Sequence, residues 1–314
     1  MTPIASIIIP VFNGEKYIIE TLRSISVQSM SNFEVIVIND GSTDTTKRIV
    51  EEYAIMDHRV RLISRNNEGM AASLNFALKL AKSNIIVRID ADDLMTEDRL
   101  EKQLTFLREN PSVSVASSYV YLINSRSKVI GTNKSRYTSW AEVQKTVVQG
   151  KPIGIPHPGV IAKKQTLIEA GGYRGQFWPS DDVDLWTRLA EQGAKILIQP
   201  EFLTYYRIHS SSVSVESALK ARQMYRWVRM CQKARAEKKP EPSIHEFNQY
   251  MSNQSLARKF SVFRHDYAFL FYKRAASFYA SGNIVKAIGF FIISCSLRPN
   301  LAISQALGRL KSAE

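Results

Sequence analysis

Ile85-Ile-Val-Arg-Ile-Asp-Ala-Asp-Asp93 joins a short β-branched run to three carboxylates within four positions. Residues 85–89 are apolar apart from one Arg, the pattern of a strand buried on both faces in a parallel sheet. Asp90-Ala-Asp-Asp93 then stands at the carboxyl end of that strand. One or two aspartates there could merely favour the positive end of the next helix. Three repel one another by roughly a few kcal/mol when partly desolvated, so a cation is expected among them. Carboxylate oxygens suit Mg²⁺ or Mn²⁺, which complete their shells with phosphate oxygens and water.

The same strand type recurs at 6–9, 34–38 and 60–64. Helical patterns fill 15–28, 43–56, 69–81 and 96–109, with Thr96 as an N-cap and Pro111 closing the last. Four strand–helix alternations predict a doubly wound, mostly parallel α/β sheet, which binds ligands beyond the carboxyl ends of its strands. A strand at 113–121, an ordered loop at 150–159, a helix at 181–192 and a strand at 195–199 follow. Residues 1–214 are read as the catalytic domain and 215–314 as a basic helical region. In that region 233–242 looks like a hinge or exposed loop. Ser281-Gly-Asn283 splits 267–297 into two helices.

Four further polar clusters lie at strand or helix ends. Pro10-Val-Phe-Asn-Gly14 follows the first strand, which Pro10 ends, and its loop could lie against a base. Asp40-Gly-Ser-Thr-Asp44 follows the second: Ser42 or Asp44 caps the next helix, and Asp40 is left to accept from a pyrimidine N–H. Asp181 and Asp182 begin a helix as N-terminal acids or as a general base for an acceptor hydroxyl. Arg207 and His209 alternate along an extended segment, so His209 could ligate the cation and Arg207 could hold phosphate.

Taken in order, the runs IIIPVFNGEKYIIETLRSISVQS, EVIVINDGSTDTT, VRLISRNNEGMAASLNFALKLAKSNIIVRIDADD, SDDVDLWTRLAEQG and YRIHSSSVS resemble the inverting family 2 glycosyltransferases of the GT-A fold, over about residues 4–214. The resemblance implies that Pro10, Phe12 and Asp40 surround a uracil or thymine base. It implies that Asn13, Glu15, Ser42, Asn67, Gly69, Asp90, Ala91, Asp92 and His157 line the nucleotide sugar. Asp92 becomes the leading ligand for Mn²⁺ or Mg²⁺, with Asp93 and His209 beside it. Asp182 matches the family's catalytic base and Asp181 the acid before it. Leu74-Asn75 departs from the family's Arg-Asn, which weakens any phosphate role there. The Gln-x-x-Arg-Trp run of the processive synthases is expected to be absent, and processive synthesis is not expected.

Composition bounds the remaining classes. The 314 residues are 45% hydrophobic and 23% charged, ordinary for a folded globular chain. Cys231 and Cys295 lack ligand spacing, so a reducing cytoplasm is expected. The amino-terminal residues lack a signal-peptide pattern, and 284–297 is too short for a span of about 20 residues. Residues 1–214 carry 25 Lys/Arg and 23 Asp/Glu, whereas 215–314 carry 17 and 6. Most of the +13 net charge therefore sits in the last third, as a solvated basic surface or as a patch that suits an anionic membrane surface better than nucleic acid, for which no reading module is present. The expected activity is sugar transfer to a glycan or lipid-linked glycan for surface polysaccharide, on the cytoplasmic face of the inner membrane. A sugar nucleotidyltransferase would need a Gly- and Arg/Lys-rich loop where Pro10–Gly14 stands. An inactive sugar-nucleotide-binding subunit would not need both Asp92 and Asp182.

Overall fold

The computed structural model describes residues 2–209 and 213–300. Four parallel strands form one half of the sheet: β1 (Ala5–Val11), β2 (Phe33–Asp40), β3 (Val60–Arg65) and β4 (Ile85–Arg88), in the order β3-β2-β1-β4. Helices α1 (Ile18–Ser26), α2 (Thr46–Met56) and α3 (Met70–Leu80) make the crossovers between them. β1 and β2 are buried along their whole length, as their unbroken β-branched runs require.

The sheet continues through β8 (Ile161–Lys163), β6 (Val113–Ile123), β9 (Lys195–Arg207) and β5 (Leu94–Met95), with β7 (Val129–Asn133) hung on β6. This half is mixed rather than parallel. β6 and β9 run parallel, but β8 is antiparallel to both β4 and β6. β8 is entered from a 3₁₀ turn at His157–Gly159 and runs against both of its neighbours in the sheet. β9 runs eight residues beyond the expected 199, so Arg207 and His209 reach the neighbourhood of Asp92 and Asp93. Helices α4 (Arg99–Glu109), α5 (Trp140–Val148), α6 (Lys164–Glu169) and α7 (Asp181–Glu191) complete the two layers around the sheet.

Beyond the short α8 (Val213–Glu216) come α9 (Ala218–Ala236), α10 (Ile244–Ser252), α11 (Leu256–Ala280) and α12 (Ile284–Leu297). α9 does not hang free. Met224, Trp227, Val228 and Cys231 pack with Phe247 of α10 against Phe177, just before α7. Of the 233–242 segment, α9 takes the residues up to Ala236, the following 237–240 form an exposed loop, and Glu241 accepts from both Arg174 and Arg235.

Candidate active site

Three loops leave the carboxyl ends of β1, β2 and β3 and fasten to one another. The Asn13 amide donates to Ser42 Oγ (2.9 Å), and Asn13 Oδ1 accepts from the Thr43 amide (2.8 Å). Glu15 Oε2 accepts from the Thr45 amide and hydroxyl. Asn13, Glu15 and Ser42 thus hold the loops in place, while Asp44 takes the Thr46 amide at the start of α2. Asp40 does not stand free as expected. It is 4% exposed, and its oxygens accept from the Glu68 and Gly69 amides at 3.0 and 2.9 Å. Each oxygen keeps a second lone pair for a base N–H. Gly41 has φ +75°, and a Cβ there would lie 2.8 Å from the amide nitrogen of exposed Asn67, so these loops touch backbone to backbone. Pro10 lies inside β1, buried opposite Ile38, because the strand runs on to Val11. Phe12, 52% exposed, is the ring left for a ligand.

The three carboxylates after β4 have three different environments. Asp90 is gripped by both terminal nitrogens of Arg88, a side chain 2% exposed. Burial works against the Arg88 charge, but the Asp90 carboxylate outweighs it and holds the guanidinium protonated. The cation that the cluster demanded is therefore partly supplied by the strand itself, two residues earlier on the same face. The Thr21 hydroxyl donates to the Ala91 carbonyl at 2.9 Å, which ties the loop to α1. Asp92 is more open, and its Oδ2 lies 2.8 Å from His209 Nε2. Asp93 is wholly buried: Oδ1 accepts from the Arg207 amide at 2.7 Å, and Oδ2 has no partner. Burial first, then Asp92 and Asp90, push its carboxyl well above the usual range.

Oxygens from Asp90, Asp92 and Asp93 approach within 4.8 Å of one another. This all-oxygen set, with an orphaned buried oxygen on Asp93 and His209 against Asp92, fits a hard divalent cation. Arg207 cannot serve phosphate. Its guanidinium donates to the Asp92 and Asn124 carbonyls, Ser127 Oγ and Glu20, and the side chain is fully buried. Arg207→Lys keeps the charge and loses the fork, so it is expected to cost about 3 kcal/mol of stability, read as the denaturant midpoint.

Across the cleft, α7 presents Asp181 and Asp182. Burial first, then the adjacent Asp181, push the Asp182 carboxyl up to about 7. Burial raises Asp181 to about 6, and its Oδ2 is unpartnered. Both lie within the field of Arg88 and Asp90, so the α7 end and the β4 end face one site. Asp182 is the more open of the two. Asp184 is excluded from chemistry because Arg174 and Arg188 hold it. His157 Nε2 sits 2.9 Å from the Tyr173 hydroxyl, and burial with nearby Arg88 holds the imidazole neutral. Asn75 fixes Tyr173 through both backbone groups, while Leu74 is buried in the core, so neither is left for phosphate.

The family model "Glycosyl transferase family 2" matches residues 6–167, more than half of the chain. The chain belongs to glycosyltransferase family 2. It is 30% identical over 217 residues to the Escherichia coli O-antigen biosynthesis glycosyltransferase WbnJ, covering 68% of this chain and 83% of that protein. A Pyrobaculum calidifontis mannosyltransferase, PcManGT, solved with GDP-Man and Mn²⁺, superposes with a TM-score of 0.57 at 20% identity, covering 98% and 81% of the two chains. S. aureus TarS 1–349 in complex with UDP-GlcNAc gives 0.54 at 18% identity, covering 93% and 91%. These likenesses establish the GT-A fold for this family 2 glycosyltransferase.

The matched segment ends before Asp181, Asp182 and His209, so those three rest on geometry. Arg88 was visible as the one charge inside an apolar strand, two positions before Asp90, but its partner was not. Gln223-Met-Tyr-Arg226-Trp227 on α9 does spell the Gln-x-x-Arg-Trp pattern, against expectation. Here Trp227 packs on Phe177 in a tilted pair with ring centroids 4.3 Å apart, Arg226 pairs with Asp266 of α11, and Gln223 donates to Asn248. The run joins α10 and α11 to the segment that precedes α7. Among the described residues no helix is long and apolar enough to cross a membrane.

Proposed function

We propose that the chain is an inverting, metal-dependent glycosyltransferase that moves a sugar from a UDP- or dTDP-type donor to a hydroxyl of a glycan or lipid-linked glycan in surface polysaccharide biosynthesis. The observation that carries the reading is the meeting of Asp182, raised to about 7, with the Asp90–Asp93 cluster across one cleft. The name of the E. coli relative supports the pathway class, and the ligands of the two solved neighbours support a nucleotide-sugar donor. The basic C-terminal region suits peripheral attachment at the cytoplasmic face of the membrane.

Asp182 takes the proton of the acceptor hydroxyl, whose oxygen attacks the anomeric carbon opposite the departing diphosphate. Burial, with Asp181 beside it, keeps the Asp182 proton affinity high enough to make that transfer favourable near neutral pH. Neutral His157, held by Tyr173, offers a hydrogen bond without adding charge beside the sugar. Asp92, Asp93 and His209 would hold a divalent cation, which offsets the charge of the leaving diphosphate. Phe12 and Asp40 flank the base.

Thermal-shift screening of UDP-, dTDP- and GDP-sugars with and without Mn²⁺ tests the donor class. A Mn²⁺-dependent rise in melting temperature with a uridine or thymidine donor is expected, and a response confined to GDP-sugars would overturn the base assignment. The rate should fall as pH drops through about 7, because the base must be ionised. Asp181→Asn removes a neighbouring negative charge, so Asp182 ionises more readily and the acid limb of kcat/KM should move to lower pH. An unmoved or raised limb would reassign the base.

A further inference from the structure

Among the described residues α12 packs on α11 through one face. Phe290 stacks between Phe271 and Phe278, Ser294 Oγ donates to the Ala268 carbonyl, and Arg264 holds the Leu297 carbonyl. The opposite face carries Val285, Ile288 and Ile292, which are 83%, 55% and 60% exposed, with Ile284 and Ile293 at its margins. Their i, i+3, i+7 spacing makes one apolar stripe, and a helix in a water-soluble fold ordinarily turns such a stripe inward. The surroundings are cationic. Residues 256–300 hold seven Lys/Arg and a single acid, Asp266, which is already spent on Arg222 and Arg226. Arg258, Lys259, Arg274, Lys286 and Arg298 are exposed.

We infer that the α11–α12 hairpin docks on an anionic lipid bilayer, with the Val285–Ile288–Ile292 stripe entering the interface and the surrounding cations meeting the headgroups. An apolar stripe bordered by Lys/Arg is the pattern of helices that lie in the membrane surface, and the positive charge selects anionic lipid over a neutral partner. The attachment point gives the docking a use. Ala280, at the end of α11, packs on Val120, Leu122 and Ile208, and Ile208 directly precedes His209. The hairpin therefore springs from the wall of the cleft that holds Asp92. Docking would keep that cleft beside the bilayer, where a lipid-anchored acceptor presents its sugar. The docking deepens the peripheral attachment proposed above, and this last consequence alone rests on the proposed transfer reaction.

Flotation of the full chain with phosphatidylcholine vesicles, with and without phosphatidylglycerol, tests the inference. The chain is expected to float with the anionic vesicles and to keep part of its binding at high salt, since apolar insertion is not screened. Ile288→Glu/Ile292→Glu, both on an exposed face, should weaken that binding by at least about ten-fold. Lys286→Glu/Arg298→Glu should lose the preference for phosphatidylglycerol. The Mn²⁺-dependent thermal shift with UDP should be unchanged in both variants, which separates this inference from the glycosyltransferase reading. Undiminished flotation of the Ile288/Ile292 variant would overturn it. So would light scattering that shows the same variant splitting a dimer, because the stripe would then belong to a second copy.

Discussion

Asp182→Asn is expected to lower kcat by about a thousand-fold, within the range found when a general base is removed. The folded state should not suffer. An aspartate whose carboxyl is raised to about 7 on folding takes up a proton that the unfolded chain would release. Its burial therefore costs stability that grows as pH rises from the unfolded value and is complete above about 7. Asparagine carries no such cost, so the variant should melt at or above the wild-type temperature at pH 8 and depend less on pH between 4 and 7. A thousand-fold loss with an intact or raised melting point, measured as nucleoside diphosphate release, is the signature of a base held at the expense of stability. Near-normal turnover would remove Asp182 from the mechanism, and Asp181→Asn would then be the variant that loses it.

How far the sequence reveals this site depends on whether a residue's job is local. The four parallel strands were legible because β1 to β4 are unbroken apolar runs bounded by turns, a property of neighbouring positions. β8 has three residues and β5 has two, too few to show a period, so the mixed half of the sheet was not legible. The carboxylates were found by type and spacing, and their division of labour was not. Asp40 was expected free because nothing near it in sequence occupies it; Glu68 and Gly69 do so from 28 and 29 positions away. Arg207 looked available for phosphate, yet its partners Glu20 and Ser127 lie 187 and 80 positions off. A hydrogen bond across the sheet leaves no mark in local pattern. The charge excess after 215 was visible, but the apolar stripe on α12 emerged only once its other face was seen against α11.

The Asp90–Asp93 cluster supplies the second large effect, because its members should fail in different ways. Among the described residues the Asp92 carboxylate pairs with His209 alone, so Asp92→Asn should fold normally and lose the cation. A wild-type chain with Mn²⁺ and UDP at about a hundred times their dissociation constant gains roughly 2.7 kcal/mol, seen as a higher melting temperature. Asp92→Asn should lose most of that gain, and EDTA should abolish it in the wild type. Loss of Lewis-acid help of several kcal/mol should also lower kcat/KM by about 10²- to 10³-fold. Asp90→Asn should behave otherwise. It leaves the Arg88 guanidinium, 2% exposed, without its carboxylate, and stranding a buried charge costs about 3 kcal/mol or more. That variant should therefore melt early with or without metal. Equal melting points for the two variants, or a full Mn²⁺ response in Asp92→Asn, would sink this division. The two aspartates of one Asp-x-Asp pair are separated by what lies beneath each: Asp90 answers a cation the strand already carries, and Asp92 is the one we propose to bind a cation from solution.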